Sequence, residues 1–245
     1  MADCTKKYHI NQQLTKISAV SPAHFEIRKM WGILYADSNS VFELRALWPK
    51  GLSDTQPAIV RHYKAQAYPT LDSCKASFEQ DALALNAKGY NIYTVMNPIS
   101  SSVAGKGATK DVDIQYRDLL LVDIDRTGET SEPATDAEVG AAKSLAIQIR
   151  MFMDSCGWPP PIVVMSGNGY HLYYLLGDIC NDKASTDLVK SVLYELAAKF
   201  DNATVSVDTS VYNAARITKV PGTIMRKGMA SDNRPYRMAE VCDEL

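Results

Sequence analysis

The chain has 245 residues, with 26 Lys and Arg against 28 Asp and Glu and a formal charge of −2. Hydrophobic residues make up 46% and charged residues 22%, ordinary globular usage that excludes collagen, low-complexity disorder and a coiled-coil rod. No apolar run approaches the ~20 residues that span a bilayer. The N-terminus, MADCTKKYHINQQ, carries no apolar signal core, so the expectation is a cytoplasmic chain with a sizeable core, forming one large domain or a domain with a small satellite.

Residues 22–34 read as a helix, 41–48 and 59–64 as strands, and Leu71–Ala87 as a helix capped by Gly89. Tyr90–Met96 is a β-branched and aromatic strand closed by Asn97-Pro98, and 100–112 is a Ser/Gly-rich loop. Asp118–Asp125, DLLLVDID, has four apolar residues in a row, the pattern of a strand buried on both faces. An acidic loop covers 126–136, and Ala137–Met153 carries apolar residues at helical spacing. The run Pro159-Pro160-Pro161 forces an extended approach to a strand at Ile162–Met165. A tight SGNG turn then returns the chain as Tyr170–Leu176. Thr186–Phe200 is a helix, and Ile217–Val220, Ile224–Arg226 and Tyr236–Val241 are short strands. Helices and strands interleave with hairpins among them, so the fold class is α+β or mixed α/β.

Five cysteines (Cys4, Cys74, Cys156, Cys180, Cys242) form no CxxC pair, and four histidines (His9, His24, His62, His171) lack metal-ligand spacing. Neither a disulfide framework nor a zinc site is expected, and any metal must be held by carboxylates. Charge is uneven. From Val211 to Met238 six basic residues face one acid, +5 in 28 residues, which leaves −7 for the rest. A local anion site inside an acidic protein is one reading; a solvated surface is the other.

Three motifs carry chemistry. Asp123-Ile124-Asp125 puts two carboxylates on one strand face. Behind an apolar run they are costly to desolvate unless a cation such as Mg²⁺ or Mn²⁺ neutralises them. Ser166-Gly167-Asn168-Gly169-Tyr170-His171 is a turn whose glycines free backbone amides for a phosphate, with Ser166 and His171 as side-chain donors. Val207-Asp208 adds a third carboxylate, followed by Arg216 and Lys219, side chains suited to triphosphate oxygens. Each motif alone has an ordinary explanation: a wet strand end, a plain hairpin, a surface loop. Together they form the toolkit of metal-assisted nucleotidyl transfer.

In this order, DID, SGNGYH and VD…R..K.PGT resemble the archaeo-eukaryotic primase superfamily, the primase–polymerases, and specifically their phage and plasmid types. KGMASDNRPYR is similar to a K-G…R-P-[HY]-R segment of those proteins, and FELRALWPKG and NIYTVMNPI to their N-terminal part, so the resemblance covers residues 24–241. It implies an N-terminal α/β unit over 24–115. It also implies a catalytic module with a sheet like that of an RNA-recognition motif over 116–241, the active site lying in the cleft between the two. By similarity Asp123, Asp125 and Asp208 hold two divalent ions, Mg²⁺ or Mn²⁺. Ser166, Gly167, Gly169, His171, Arg216, Lys219 and Lys227 bind the nucleotide, and His171 also serves catalysis. Gly169 stands where the family's serine falls, two before His171, while Ser166 fits a Ser-Gly-x-Gly-x-His variant.

The implied activity is a DNA primase or polymerase working on single-stranded DNA template and primer with NTP or dNTP, without zinc. No GxxxxGK[ST] occurs, so a helicase would act in trans or in a longer chain. Two rivals remain. A rolling-circle initiator endonuclease needs two metal histidines around an apolar residue, and His171-Leu172-Tyr173 supplies one. A non-catalytic origin- or single-strand-binding module would not need all three acids with His171 and Arg216.

Overall fold

The computed structural model describes residues 21–103, 105, 107–128 and 131–243. Cys4, His9 and the stretch read for a targeting signal lie outside them. The first half contributes α1 (Pro22–Met30), β1 (Val41–Leu47), β2 (Ile59–Lys64), α2 (Leu71–Ala87), β3 (Asn91–Val95) and β4 (Tyr116–Arg126). There follow α3 (Asp136–Ser155), β5 (Ile162–Met165), β6 (Tyr170–Cys180), α4 (Lys183–Phe200), β7 (Val205–Val207) and β8 (Ile217–Lys219). The short strands β9 (Ile224–Met225), β10 (Arg237–Met238) and β11 (Glu240–Cys242) complete the chain.

Boundaries depart from the sequence reading where local chemistry intervenes. The first helix starts under its Ser21 cap but stops at Met30 rather than Leu34. Gly32 follows, a poor helix residue, and 31–34 proceed as hydrogen-bonded turns. Helix α3 opens on a capping box between Thr135 and Glu138, and α4 on one between Asp182 and Ser185, three residues earlier than expected. Strand β4 reaches back to Tyr116 through Arg117. That side chain is buried because its guanidinium donates to the Tyr212 carbonyl at 2.8 Å and to Thr186 Oγ1 at 2.7 Å. Leu119 to Val122 are all buried, as the apolar run requires.

The strands make two antiparallel sheets, ordered β2-β1-β3-β8 and β11-β5-β6-β4-β7, and a small β9-β10 ribbon. The run β4-α3-β5-β6-α4-β7, with β7 and β6 flanking β4, is the split β-α-β-β-α-β arrangement. The α+β class holds. The two sheets are not two consecutive stretches of chain: β8, from the C-terminal part, completes the first sheet beside β3. One apolar core runs through both sheets, from Ile27, Leu44 and Phe78 to Leu120, Ile149 and Leu193.

Pairing sets which way β4 faces. Leu120 pairs with Tyr174, whose ring lies 5.7 Å from Trp158 just past α3, so the even-numbered residues of β4 point toward the helices. The odd-numbered residues, Leu121, Asp123 and Asp125, take the opposite face.

Candidate active site

Asp123 and Asp125 share the face of β4 away from the helices, as alternation predicts. Strand β6 places His171 directly opposite Asp123, with Nε2 at 3.3 Å from Oδ1. On the other flank Val207 pairs with Ile124, and the next residue, Asp208, donates its backbone N–H to the Asp123 carbonyl at 2.8 Å. Asp208 Oδ2 lies 3.4 Å from Arg216 Nη2, and Oδ1 accepts from the Ser210 amide at 2.8 Å. Register alone therefore brings the residues of all three motifs to one place. Among the described residues no group of three or more His, Cys, Asp and Glu side chains is drawn close enough to hold a metal ion by itself.

The two acids of the pair are electrostatically distinct. Burial pushes both carboxyls up. For Asp123, His171 outweighs it, with Arg216 and Lys227 adding to the effect, and its pKa falls below the ordinary carboxylate value. For Asp125, burial and the charge on Asp123 outweigh Lys227, the Arg126 amide and His171, and its pKa rises. The same two acids, after burial, push the Tyr93 phenol on β3 up to about 12.

The 166–169 turn is built for packing. The Gly167 amide donates to Met165 Sδ at 3.0 Å and the Gly169 amide to Ser166 Oγ at 3.3 Å, so both are engaged within the turn. A Cβ on Gly169 would lie 2.1 Å from the Ile124 carbonyl oxygen, and one on Gly167, at φ +105°, 2.4 Å from Met225 Cβ. The glycines let the turn lie against β4 between the two acids and under the β9-β10 ribbon.

The basic C-terminal stretch is only partly at the site. Arg216 is there, and Lys227 is close enough to Asp125 and Asp123 to feel both; burial nonetheless lowers its pKa. Lys219 is 2% exposed, its amine donating to the Ile224 carbonyl at 3.2 Å beneath the Tyr93 ring, and burial drops its pKa well below the ordinary value. Arg234 and Arg237 are spent elsewhere, on Glu138 and Asp136 at the start of α3. Of the six cations counted in the sequence, two stand at the carboxylates.

Sequence reasoning missed Tyr173 and Thr218. Tyr173 OH is 3.1 Å from His171 Nδ1, Thr218 Oγ1 is 3.3 Å from the same atom, and the two hydroxyls are hydrogen-bonded to each other. Tyr173 was visible in principle, because His-Leu-Tyr on a strand puts the outer two side chains on one face. Thr218 carried no signal, since the contact crosses between sheets. Two surface hollows, about 260 Å³ beside Asp37 and Asn97 and about 360 Å³ beside Arg150 and Pro160, include none of these residues.

No protein-family model and no curated protein matches the chain. Several solved chains are similar in shape, two of them as follows. The primase RepB' is 14% identical over 91% of this chain and 55% of its own, with a TM-score of 0.46. The polymerase domain of Mycobacterium tuberculosis Ligase D, solved in complex with DNA, is 19% identical over 82% and 74%, with a TM-score of 0.47. The chain thus spans about half the length of the RepB' chain. No helix among the described residues is long and apolar enough to cross a membrane.

Proposed function

We propose that this chain is a template-dependent nucleotidyltransferase, a primase or DNA polymerase that makes or extends primers on single-stranded DNA. The observation that carries this reading is the register around Asp123. It stands between His171 and Asp208 with Asp125 on the same face, so the acids and the phosphate-seeking side chains of three separate motifs meet.

The donor set fits Mg²⁺ or Mn²⁺. It is all oxygen, and Asp125 holds a charge that burial and Asp123 disfavour, which a cation would relieve. Mg²⁺ keeps several waters and binds through one or two carboxylates plus substrate phosphates, so a strand pair without a closed third ligand suits it. Asp123 and Asp125 would hold the ion, and Asp208 would join them on leaving Arg216. Such ions lower the pKa of an attacking 3′-hydroxyl and steady the departing pyrophosphate.

The chain's own residues divide the remaining work. Arg216, once Asp208 turns away, offers its planar fork to the triphosphate. His171 Nε2–H donates to a phosphate oxygen where charge grows during transfer. Lys227, half-buried beside both acids, moderates their field.

The test is incubation of the full chain with a single-stranded template, Mg²⁺ or Mn²⁺ and either nucleotide type. Metal-dependent incorporation is expected, and it should vanish in Asp123→Ala/Asp125→Ala. Template binding without incorporation would point to a binding module, and strand cleavage with a covalent tyrosyl adduct to an initiator endonuclease.

A further inference from the structure

We infer that Tyr173 and Thr218 are positioning residues that fix His171 with Nδ1 as an acceptor, so that Nε2 presents its proton to Asp123 and to an incoming phosphate. The inference rests on the reading of the site proposed above and adds to it a second layer that the three motifs do not contain.

The geometry is a closed triangle of two hydroxyls and one ring nitrogen. Tyr173 OH and Thr218 Oγ1 each approach His171 Nδ1, at 3.1 and 3.3 Å, and they bond to one another. All three residues are buried: Tyr173 is 2% exposed, Thr218 5% and His171 7%. Burial raises the Tyr173 pKa by more than the Thr218 hydrogen bond lowers it, and the charge on Asp123 adds a lesser push upward, so the group is a phenol with a proton to place. Two hydroxyls bring two protons. One lies between the two oxygens, and the other is aimed at Nδ1, the acceptor left in the triangle. If Nδ1 carried its own proton, one hydroxyl proton would be stranded in a buried site, a costly arrangement. Among the described residues neither hydroxyl has a further hydrogen-bond partner to relieve it.

The opposite edge of the ring makes the same demand. Asp123 faces Nε2 at 3.3 Å. A carboxylate accepts, so Nε2 must donate. Both edges therefore select the Nε2–H form. Among the described residues neither Tyr173 nor Thr218 hydrogen-bonds a carboxylate, and the side chain of the site that both reach is the imidazole. Thr218 belongs to β8 in the first sheet and His171 to β6 in the second. The histidine is thus held by hydroxyls from both sheets, and its aim depends on the two sheets staying docked.

The experiment reads the ring directly. The imidazole nitrogens of His171 are observed by NMR in the metal-free full chain, in wild type and in Tyr173→Phe, Thr218→Val and the double variant. Wild type should show an unprotonated Nδ1 and a protonated Nε2, and the double variant, with Asp123 alone left to select that form, a measurably larger share of Nδ1–H. On a primed template, each single variant should lose about tenfold in kcat with unchanged template affinity, and Thr218→Ser should recover most of it. In a His171→Ala background the same substitutions should cost nothing, whereas a merely structural role would cost equally in both backgrounds. A wild-type Nδ1–H, or equal losses in the two backgrounds, overturns the inference. Tyr173→Phe removes one oxygen; if it does not fold, Thr218→Val carries the same test. Should the wild-type chain incorporate no nucleotide at all, the proposed function falls, and the tautomer measurement still decides the role of the two hydroxyls.

Discussion

The backbone amide of Asp208 hydrogen-bonds the carbonyl of Asp123 at 2.8 Å, which joins the last acidic motif to the first across the edge of the sheet. The bond extends the β4–β7 ladder one step beyond β7 and puts both carboxylates on the face turned from the helices. A site assembled by ladder register tolerates little slippage, because a shift of one residue would send Asp208 to the helix face.

The two acids of the pair should respond oppositely to neutralisation. Asp125→Asn removes a charge that burial and Asp123 disfavour, so the metal-free melting temperature should rise by about 2–4 °C. Asp123→Asn takes the carboxylate partner from a buried His171, and the melting temperature should fall by a similar amount. Both variants should lose the stabilisation that Mn²⁺ gives the wild type. Differential scanning calorimetry in chelator and in Mn²⁺ checks this, and two shifts of the same sign would contradict the assigned asymmetry.

Gly169→Ala should destabilise the chain by about 2 kcal/mol or more, since its Cβ would meet the Ile124 carbonyl at 2.1 Å and backbone must move. The strain falls between Asp123 and Asp125, so incorporation should drop further than stability does. Urea unfolding alongside primer extension measures both. An unperturbed midpoint would mean that the turn is not pressed against β4.

Glu138 ties the C-terminal ribbon to α3 and sets an acid-sensitive step. Partial burial raises its pKa, but the Thr135 amide, Arg234 and Arg126 outweigh this and hold it at about 2. A depressed carboxylate pKa contributes stability that is complete above the ordinary value of 4.5 and is lost as pH falls toward 2. Glu138→Gln should therefore cost about 1–2 kcal/mol at pH 7, and the gap to wild type should close across that window. A gap of constant size from pH 7 to pH 2 would show that the charge on Glu138 does no stabilising.

Most of the fold was legible because its strands are regular. The DLLLV run announced a doubly covered strand, and alternation announced the Asp123–Asp125 face. The SGNG hairpin and the major helices followed from turn chemistry and helical spacing. What stayed hidden depends on contacts between distant segments. No local pattern tells that β8 completes the first sheet, or that Lys219, three residues past Arg216, is buried beneath Tyr93 while Arg216 stands at the acids. Nor could composition reveal that Arg234 and Arg237 bind α3, since a charge count does not distinguish a ligand-seeking cation from one already paired. The glycines of the turn were placed correctly, but their use is close packing, set by a strand the hairpin reaches only in three dimensions.

The last prediction separates nucleotide binding from chemistry. Arg216 reaches Asp208 at 3.4 Å, and both are partly exposed, so in water the pair contributes little to stability. Arg216→Ala should therefore fold normally. In the proposed reaction the guanidinium gives a charge-assisted phosphate contact worth about 1.5–3 kcal/mol, so the apparent KM for nucleotide should rise about ten- to a hundredfold with kcat less affected. His171→Ala should cost both KM and kcat, because a donor beside the leaving pyrophosphate acts most strongly as charge develops there. Asp208→Asn keeps the backbone bond to Asp123 and the shape of the loop, so template affinity should hold while kcat falls steeply. If Arg216 were only a surface cation and His171 only a hairpin residue, the two alanine variants would keep wild-type steady-state constants with both nucleotide types. Measuring kcat and KM for the three variants on a primed template discriminates these outcomes, and wild-type values for Arg216→Ala and His171→Ala together would remove the triphosphate from this site.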